Sequence, residues 1–345
     1  MSVSAKPVQL NSRERSIDLF KGLLVIGMVY CHTLQFFSDP QIYPASTYWI
    51  DVINLITFSG FVFSFGYVSQ LAYYTKPFLR AAPRMLIAAL KTLIAFYISG
   101  VAFRIIHDGQ LLSWENIRAI LLLEDIPGWS EFLISFTYLM ILGLVLFVPL
   151  RWLSDRKGLA FVITGILLLT TLFPYERVHS SQLGLMFGSY NFATFPPVQY
   201  FAYYLLGILF AKYRIHFDWR VFIGAALASA IFLWKLRSEG ELPQRFPPSV
   251  YWIVGPALLL YGYYLLARVM ERWVKPFAIV ESMGRNVLLY LVITNLLIFT
   301  VKSSQTNLLL CSGSGLYYAA GFLAIAAFCS WINTKPPHQL RNIKE

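Results

Sequence analysis

The sequence predicts an all-α integral membrane protein with about ten transmembrane helices and both termini in the cytoplasm. Hydrophobic residues make up 57% of the chain and charged residues only 13%, about half of the ~25% that is usual in soluble domains. The mean hydropathy is +0.60. Apolar stretches of about 17–25 residues, the length that crosses a bilayer, recur along the whole chain. Together these observations exclude an ordinary soluble globular protein.

Charged or turn-forming segments separate the predicted spans. The spans cover approximately 17–37, 48–74, 85–106, 128–150, 158–174, 197–213, 220–236, 249–268, 286–302 and 313–333. The segment 115–124 is too short to cross a bilayer, so we expect an interfacial or re-entrant helix there. No connection is long enough to form a soluble domain. We therefore expect one transmembrane domain over 1–345, with cytoplasmic tails at 1–16 and 334–345.

The distribution of lysine and arginine predicts the orientation. Most of the 28 basic residues fall in the two tails and in alternate connections, so the positive-inside rule makes both termini cytoplasmic. The same short clusters argue that the net charge of +11 reflects membrane orientation and not nucleic-acid binding. The first apolar run has no small-residue cleavage pattern, so we expect a retained helix. We expect a multi-pass protein of the cell membrane, plasma or inner.

Several kinds of functional site have no signature in this sequence. The three cysteines, Cys31, Cys311 and Cys329, are scattered in or beside apolar segments. They form neither a disulfide framework nor a metal-ligand spacing. A phosphate-binding glycine loop and a nucleophile elbow are also missing. We therefore expect a site without a metal.

The first span carries two ionisable side chains. Lys21 and His32 bracket the uncharged run 23–31 and lie eleven positions apart, which places them on one helix face, about 16 Å apart along the axis. Burying such groups costs roughly 2.5–3.5 kcal/mol each. A neutral His32 could take a proton from a hydroxyl, or merely bond a neighbouring helix. Lys21 could instead extend to the interface, and Arg15 and Asp18 could pair at the helix start.

Three basic residues belong to the third predicted span. Arg80 and Arg84 lie one turn apart at its cytoplasmic mouth. They either set the topology or hold the phosphates of a cytoplasmic donor through bidentate hydrogen bonds. Lys91 follows on nearly the same face, deeper in the membrane. It either extends a cationic channel or pairs with a carboxylate such as Asp51 or Glu131.

Two further acidic positions are weaker candidates for the site. Glu131 lies near the outer end of the fourth span, where it either lines the site or is an ordinary interfacial carboxylate beside Trp129. Glu281 and Arg285 open the ninth span from the cytoplasmic side. We expect them to form a capping and pairing cluster, with a weaker case for contact with a donor.

The pattern Arg15-x-x-Asp18-x-x-Lys21-Gly22, with ten residues between Lys21 and His32, resembles the first-helix signature of the membrane acyltransferase-3 family. It is also similar to the related heparan-α-glucosaminide acetyltransferase-like proteins. Shorter, degenerate echoes follow in the same order over most of the chain. They are Phe58-Ser59-Gly60-Phe61, Arg80 with Arg84, Trp129 with Phe132-Leu133, Phe195-Pro196 with Tyr200 and Gly207, and Met283-Gly284-Arg285-Asn286 with Tyr290-Leu291.

The resemblance implies transfer of an acyl group from cytoplasmic acyl-CoA to a hydroxyl of a glycan or similar acceptor on the far side of the membrane. It makes His32 the catalytic histidine and Lys21 its basic partner at the cytoplasmic end. The residues expected to contact acyl-CoA are Arg15, Arg80, Arg84 and Lys91. The chain departs from the family twice: three residues separate its two arginines where relatives have two, and the late helix has 292–294 where many relatives have a histidine.

The leading hypothesis is therefore a transmembrane O-acyltransferase that uses acyl-CoA, with acetyl-CoA as the first candidate. His32 would deprotonate the acceptor hydroxyl or carry the acyl group transiently. The alternative is a proton-coupled secondary transporter or flippase with His32 and Lys91 as relay groups. Transporters often show internal repeats with matching broken helices, and none is visible in this sequence. A non-catalytic scaffold is the third interpretation, and a homodimer is left open.

Overall fold

The computed structural model describes residues 14–273 and 275–334. All regular elements among them are helical. The α-helices are α1 Arg15–Phe37, α2 Pro44–Ser69, α3 Phe78–Ala102, α4 Trp114–Leu121, α5 Glu131–Val145, α6 Phe147–Ser154, α7 Lys157–Leu167, α8 Ser181–Phe187, α9 Pro197–Lys212, α10 Trp219–Glu239, α11 Val250–Val254, α12 Ala257–Met270, α13 Ala278–Arg285, α14 Val287–Ser304 and α15 Ser312–Thr334. Most of the two expected tails lies outside the described residues, and α1 already begins at Arg15.

Seven helices of the described chain are long and apolar enough to cross a membrane. They are Arg15–Phe37, Pro44–Tyr74, Phe78–His107, Trp219–Glu239, Val250–Met270, Val287–Ser304 and Ser312–Ile332. An eighth span results if α5 and α6, which meet at a bend of 73°, are counted as one. The prediction of a multi-pass helical membrane protein is thus confirmed, with seven or eight spans. The orientation of the termini stays a prediction.

The two remaining predicted spans form helices that are shorter than expected. The segment 158–174 becomes the apolar helix Lys157–Leu172, whose last turns tighten to a 3₁₀ helix before Pro174. The segment 197–213 becomes α9, a helix of 16 residues that follows Pro196. At 1.5 Å per residue, α9 is about 24 Å long, less than the ~30 Å of a hydrocarbon core. By helix length, the described chain therefore has seven or eight spans and not the ten that the sequence predicts.

The first helix lies at the centre of the bundle. It packs against α2, α12, α13, α14 and α15. Its apolar residues lie all around its circumference, and Leu24, Val25, Val29 and Leu34 are fully buried. A helix that is apolar all round needs neighbours on every side. The sequence of α1 thus explains its central position.

Apolar side chains also cover the outside of the bundle. On α3 one face packs against α5, while Leu86, Ile87, Leu90 and Ile94 are exposed. In water such a surface would be an aggregation hazard. In a bilayer it faces hydrocarbon, as expected for a membrane protein.

The candidate site lies near the last residues of α1. We call this side of the bundle the His32 end, and the side on which α1 begins the Lys21 end. At the His32 end, α2 and α5 begin and α3 approaches its last turns. Two connections reach the same place, 122–130 before α5 and 240–249 between α10 and α11. The expected short helix in 115–124 is α4, and at eight residues it is too short to cross a bilayer.

Candidate functional site

His32 is held by an asparagine on a neighbouring helix. Its Nδ1 lies 3.2 Å from Oδ1 of Asn295 in α14. The Asn295 amide nitrogen donates at 3.2 Å to Oγ of Ser99 and, also at 3.2 Å, to the carbonyl of Trp129. Because both donors of that nitrogen are used, Oδ1 accepts the proton from His32 Nδ1. The Nε2 atom of His32 is therefore the unprotonated nitrogen, the one able to act as a base.

Aromatic rings fix the plane of the imidazole. The Trp129 ring meets His32 edge-on at 5.3 Å between ring centroids, and Phe132 lies at 6.3 Å. Trp129 has a positive φ of 66°, a conformation that costs a bulky residue about 1–3 kcal/mol. The hydrogen bond from Asn295 to its carbonyl helps to hold this strained turn. Backbone strain of this kind is typical of functional sites.

A cavity of about 230 Å³ opens beside the imidazole. It is smaller than the ~300–1,000 Å³ clefts that take drug-sized ligands, so it has room for one small chemical unit. Its wall combines polar groups with aromatic rings. The main lining side chains are Cys31, His32, Gln35, Asn54, Phe58, Trp129, Glu131, Phe132, Phe195, Arg245 and Phe246.

Three polar atoms on the cavity wall are buried without a hydrogen-bond partner among the described residues. They are Gln35 Oε1, Glu131 Oε2 and Arg245 Nε. Nearly all buried polar groups in proteins are satisfied by protein or water, and each unsatisfied one costs about 1–3 kcal/mol. Three such atoms around one small space make it a polar pocket, which can take the polar groups of a ligand. Glu131 thus lines the site, one of the two interpretations of its sequence position.

Arg245 comes from the connection between α10 and α11 and is framed by aromatic rings. Its guanidinium carbon lies 5.1 Å from the ring centroid of Phe195, 4.6 Å from that of Phe246 and 5.8 Å from that of Trp252. Burial lowers the pKa of Arg245, because a low-dielectric surrounding disfavours the charged form. No ion pair within the described chain includes Arg245. The sequence around Arg245 contains no motif that marks it as a site residue.

Lys21 and Arg15 belong to an ion-pair cluster at the Lys21 end. Lys21 Nζ lies 2.8 Å from Oδ1 of the buried Asp18, whose other oxygen lies 3.8 Å from Arg285 Nε. Glu281 pairs with both Arg15 and Arg285. The expected pairing of Glu281 with Arg285 is therefore present. The structure does not bring Lys21 or Arg15 to the cavity beside His32.

The three basic residues of α3 also lie away from His32. Arg80, Arg84 and Lys91 are exposed, and none lines the cavity. Lys91 forms no ion pair with Asp51 or Glu131 within the part of the chain described. Its exposed neighbours Leu90 and Ile94 show that this face of α3 is directed outwards.

A second cavity, of about 640 Å³, lies between α7, α9, α10 and α12. It shares no lining residue with the cavity beside His32, and most of its wall is apolar. Over residues 14–273 and 275–334, no group of three or more His, Cys, Asp or Glu is placed to hold a metal ion. The cavity beside His32 is the candidate site because a histidine and three buried polar atoms line it.

Comparison with known proteins adds no identification. No family model matches this chain, and no curated protein matches it. The resemblance to the acyltransferase-3 family thus rests on the residues that carry it, above all the spacing of Lys21 and His32.

Proposed function

We propose that this protein is a membrane acyltransferase in which Nε2 of His32 acts as general base on a hydroxyl of an acceptor bound in the adjacent cavity. The observation that carries the proposal is the hydrogen bond between His32 and Asn295. It leaves Nε2 without a proton at the wall of a small, polar-lined space. A general base must be in the deprotonated form and within reach of the proton it removes.

The proposed reaction balances without a metal or a redox partner. Nε2 takes the proton of the acceptor hydroxyl while the oxygen attacks the carbonyl carbon of the acyl thioester. The bond from that carbon to sulfur then breaks, the ester remains on the acceptor, and the leaving thiolate receives the proton from His32. Asn295 keeps the imidazole oriented throughout, because its Oδ1 accepts from Nδ1 in both protonation states.

The proposed donor is cytoplasmic acyl-CoA, with acetyl-CoA as the first candidate, and the proposed location is the cell membrane. Arg80 and Arg84 are exposed at the Lys21 end and form no ion pair within the described residues. They are therefore available to contact the phosphates of the donor. Arg15 is assigned instead to holding α1 against α13 through Glu281, and Lys21 to an ion pair with Asp18 within α1. The small cavity has room for the reacting part of the acceptor, not for the whole donor.

The proposal is tested by acetyl transfer in membranes that contain the full-length protein. Membranes are incubated with acetyl-CoA labelled in the acetyl group, and label in the glycan fraction is measured together with released CoA. We expect His32→Ala to abolish both signals, while His179→Ala, which removes an exposed histidine, leaves both unchanged. Movement of a solute across the membrane without release of CoA would instead indicate a transporter.

A further inference from the structure

We infer that the cavity beside His32 binds a ligand that carries an oxyanion, either a carboxylate or a phosphate, and that Arg245 recognises this group. The inference deepens the proposed function, because it assigns the class of acceptor. It is a statement about binding, so it can be tested without any acyl transfer.

The hydrogen bonding of Arg245 is incomplete within the described chain. Its Nε is buried and has no hydrogen-bond partner among the described residues, although it can donate one. Glu131 and Asp51 act on it electrostatically, yet neither forms an ion pair with it. A buried charge is costly unless it is paired and hydrogen-bonded. The Nε–H of Arg245 is thus a buried donor that an oxyanion can satisfy.

Aromatic rings hold the guanidinium of Arg245 in place without any ligand. The faces of Phe195, Phe246 and Trp252 surround it and attract its charge through their π-systems. None of these rings can accept the Nε proton as a carbonyl or carboxylate would. A planar guanidinium in a fixed position suits bidentate recognition of a carboxylate or phosphate.

Two other atoms of the cavity wall also lack a hydrogen-bond partner among the described residues. Glu131 Oε2 and Gln35 Oε1 are both acceptors, so they require hydrogen-bond donors such as ligand hydroxyls. Phe58 and Phe132 add apolar surface. A complementary ligand therefore combines one oxyanion with at least two hydroxyls on a compact frame. The volume of about 230 Å³ limits it to about one sugar-sized ring.

The oxyanion is assigned to the acceptor and not to the donor. A nucleotide is larger than this cavity, which lies below the ~300–1,000 Å³ range of sites for drug-sized ligands. The exposed Arg80 and Arg84 lie outside the cavity. Arg245 and the two α3 arginines are thus separate candidates for separate anionic groups.

The test compares the binding of a charged and an uncharged version of one small sugar ring. Binding of methyl β-D-glucuronide and of methyl β-D-glucoside is measured by calorimetry on the full-length protein in lipid nanodiscs. The measurements use the wild type and His32→Ala, without acyl donor. We expect the glucuronide to bind at least about tenfold more tightly in both proteins, because a charge-assisted hydrogen bond is worth more than tenfold in affinity.

Matched variants assign the preference to Arg245. Arg245→Gln should remove it, and Arg245→Lys should keep part of it because the charge remains. Arg237→Gln makes the same change at an exposed position near the His32 end and should leave the preference intact. Glu131→Gln keeps an acceptor oxygen and removes a carboxylate, so it should not lower the preference for the glucuronide. Arg245→Lys tests the assignment should Arg245→Gln fail to fold, because its preference should be smaller than that of the wild type.

Three results of the comparison between the two ligands would overturn the inference. They are no glucuronide binding by the wild type, equal binding of the two ligands, and a preference that persists in Arg245→Gln. Loss of CoA binding in Arg245→Gln, measured in parallel, would assign the anion to the donor and would equally overturn it. Acyl transfer by His32→Ala would refute the proposed function. It would not affect the measured preference for the glucuronide.

Discussion

Asn295 on α14 holds the imidazole of His32 on α1, with 3.2 Å between Oδ1 and Nδ1. The two residues are far apart in sequence and meet only because α14 packs against α1. The contact selects which nitrogen of His32 carries the proton. It is the relationship on which the proposed chemistry depends most.

Replacing Asn295 should therefore impair chemistry more than folding. We expect Asn295→Ala to lower the rate of acetyl transfer by about 10–100-fold, the range seen when a group that orients a catalytic ligand is lost. The rate of CoA release from acetyl-CoA measures the effect. Asn191→Ala, at an exposed position, is the control and should retain full activity. Equal rates in the two variants would contradict the role of Asn295.

The ion pair of Lys21 with Asp18 should be structural. We expect Lys21→Met to destabilise the protein by about 1.5–3 kcal/mol, since it removes one hydrogen-bonded partner of a buried carboxylate that keeps Arg285 nearby. Thermal unfolding in detergent measures the change. The double variant Lys21→Met/Asp18→Asn should recover much of the lost stability and, with it, activity. A stable double variant without activity would instead assign Lys21 a direct part in catalysis.

Close packing of α1 on α13 should make Gly284 intolerant of a side chain. A Cβ on Gly284 would overlap the backbone carbonyl oxygen of Asp18. We expect Gly284→Ala to destabilise the protein by about 1–3 kcal/mol, the usual cost of overpacking. Gly262→Ala is the matched control, because nothing lies within 4 Å of its Cβ position. A similar melting temperature for both variants would contradict this packing.

The α3 arginines should affect the donor and not the chemical step. We expect Arg80→Ala and Arg84→Ala each to raise the KM for acetyl-CoA several-fold, with a weaker effect at high salt because exposed charges are screened. Lys91→Leu, on the same helix but on an outward apolar face, should leave KM unchanged. A larger effect of Lys91→Leu than of either arginine variant would restore the cationic-channel hypothesis.

The fold class could be predicted from the sequence because hydrophobic composition and the length of apolar runs report directly on the membrane. The number of spans could not, because helix ends depend on local breaks. Pro196 precedes α9, and the helix after Lys157 tightens before Pro174. A hydropathy window averages over many residues and therefore does not detect such breaks.

The candidate site could be predicted only where the chemistry is local. Helical spacing placed His32 in the membrane, but the outward face of Lys91 is decided by which helices pack together. Asn295 carried a signal, since an amide inside an apolar run needs a partner. Arg245 carried none, because its role depends on rings brought together from 195, 246 and 252.

The central claim is that Nε2 of His32 removes the proton of the acceptor hydroxyl. The most direct measurement is the acceptor-dependent rate of CoA release by the purified protein in nanodiscs, for the wild type and for His32→Gln. The account predicts a loss of about 10²–10⁴-fold in the variant at an unchanged melting temperature. A rate within a few-fold of the wild type would contradict it.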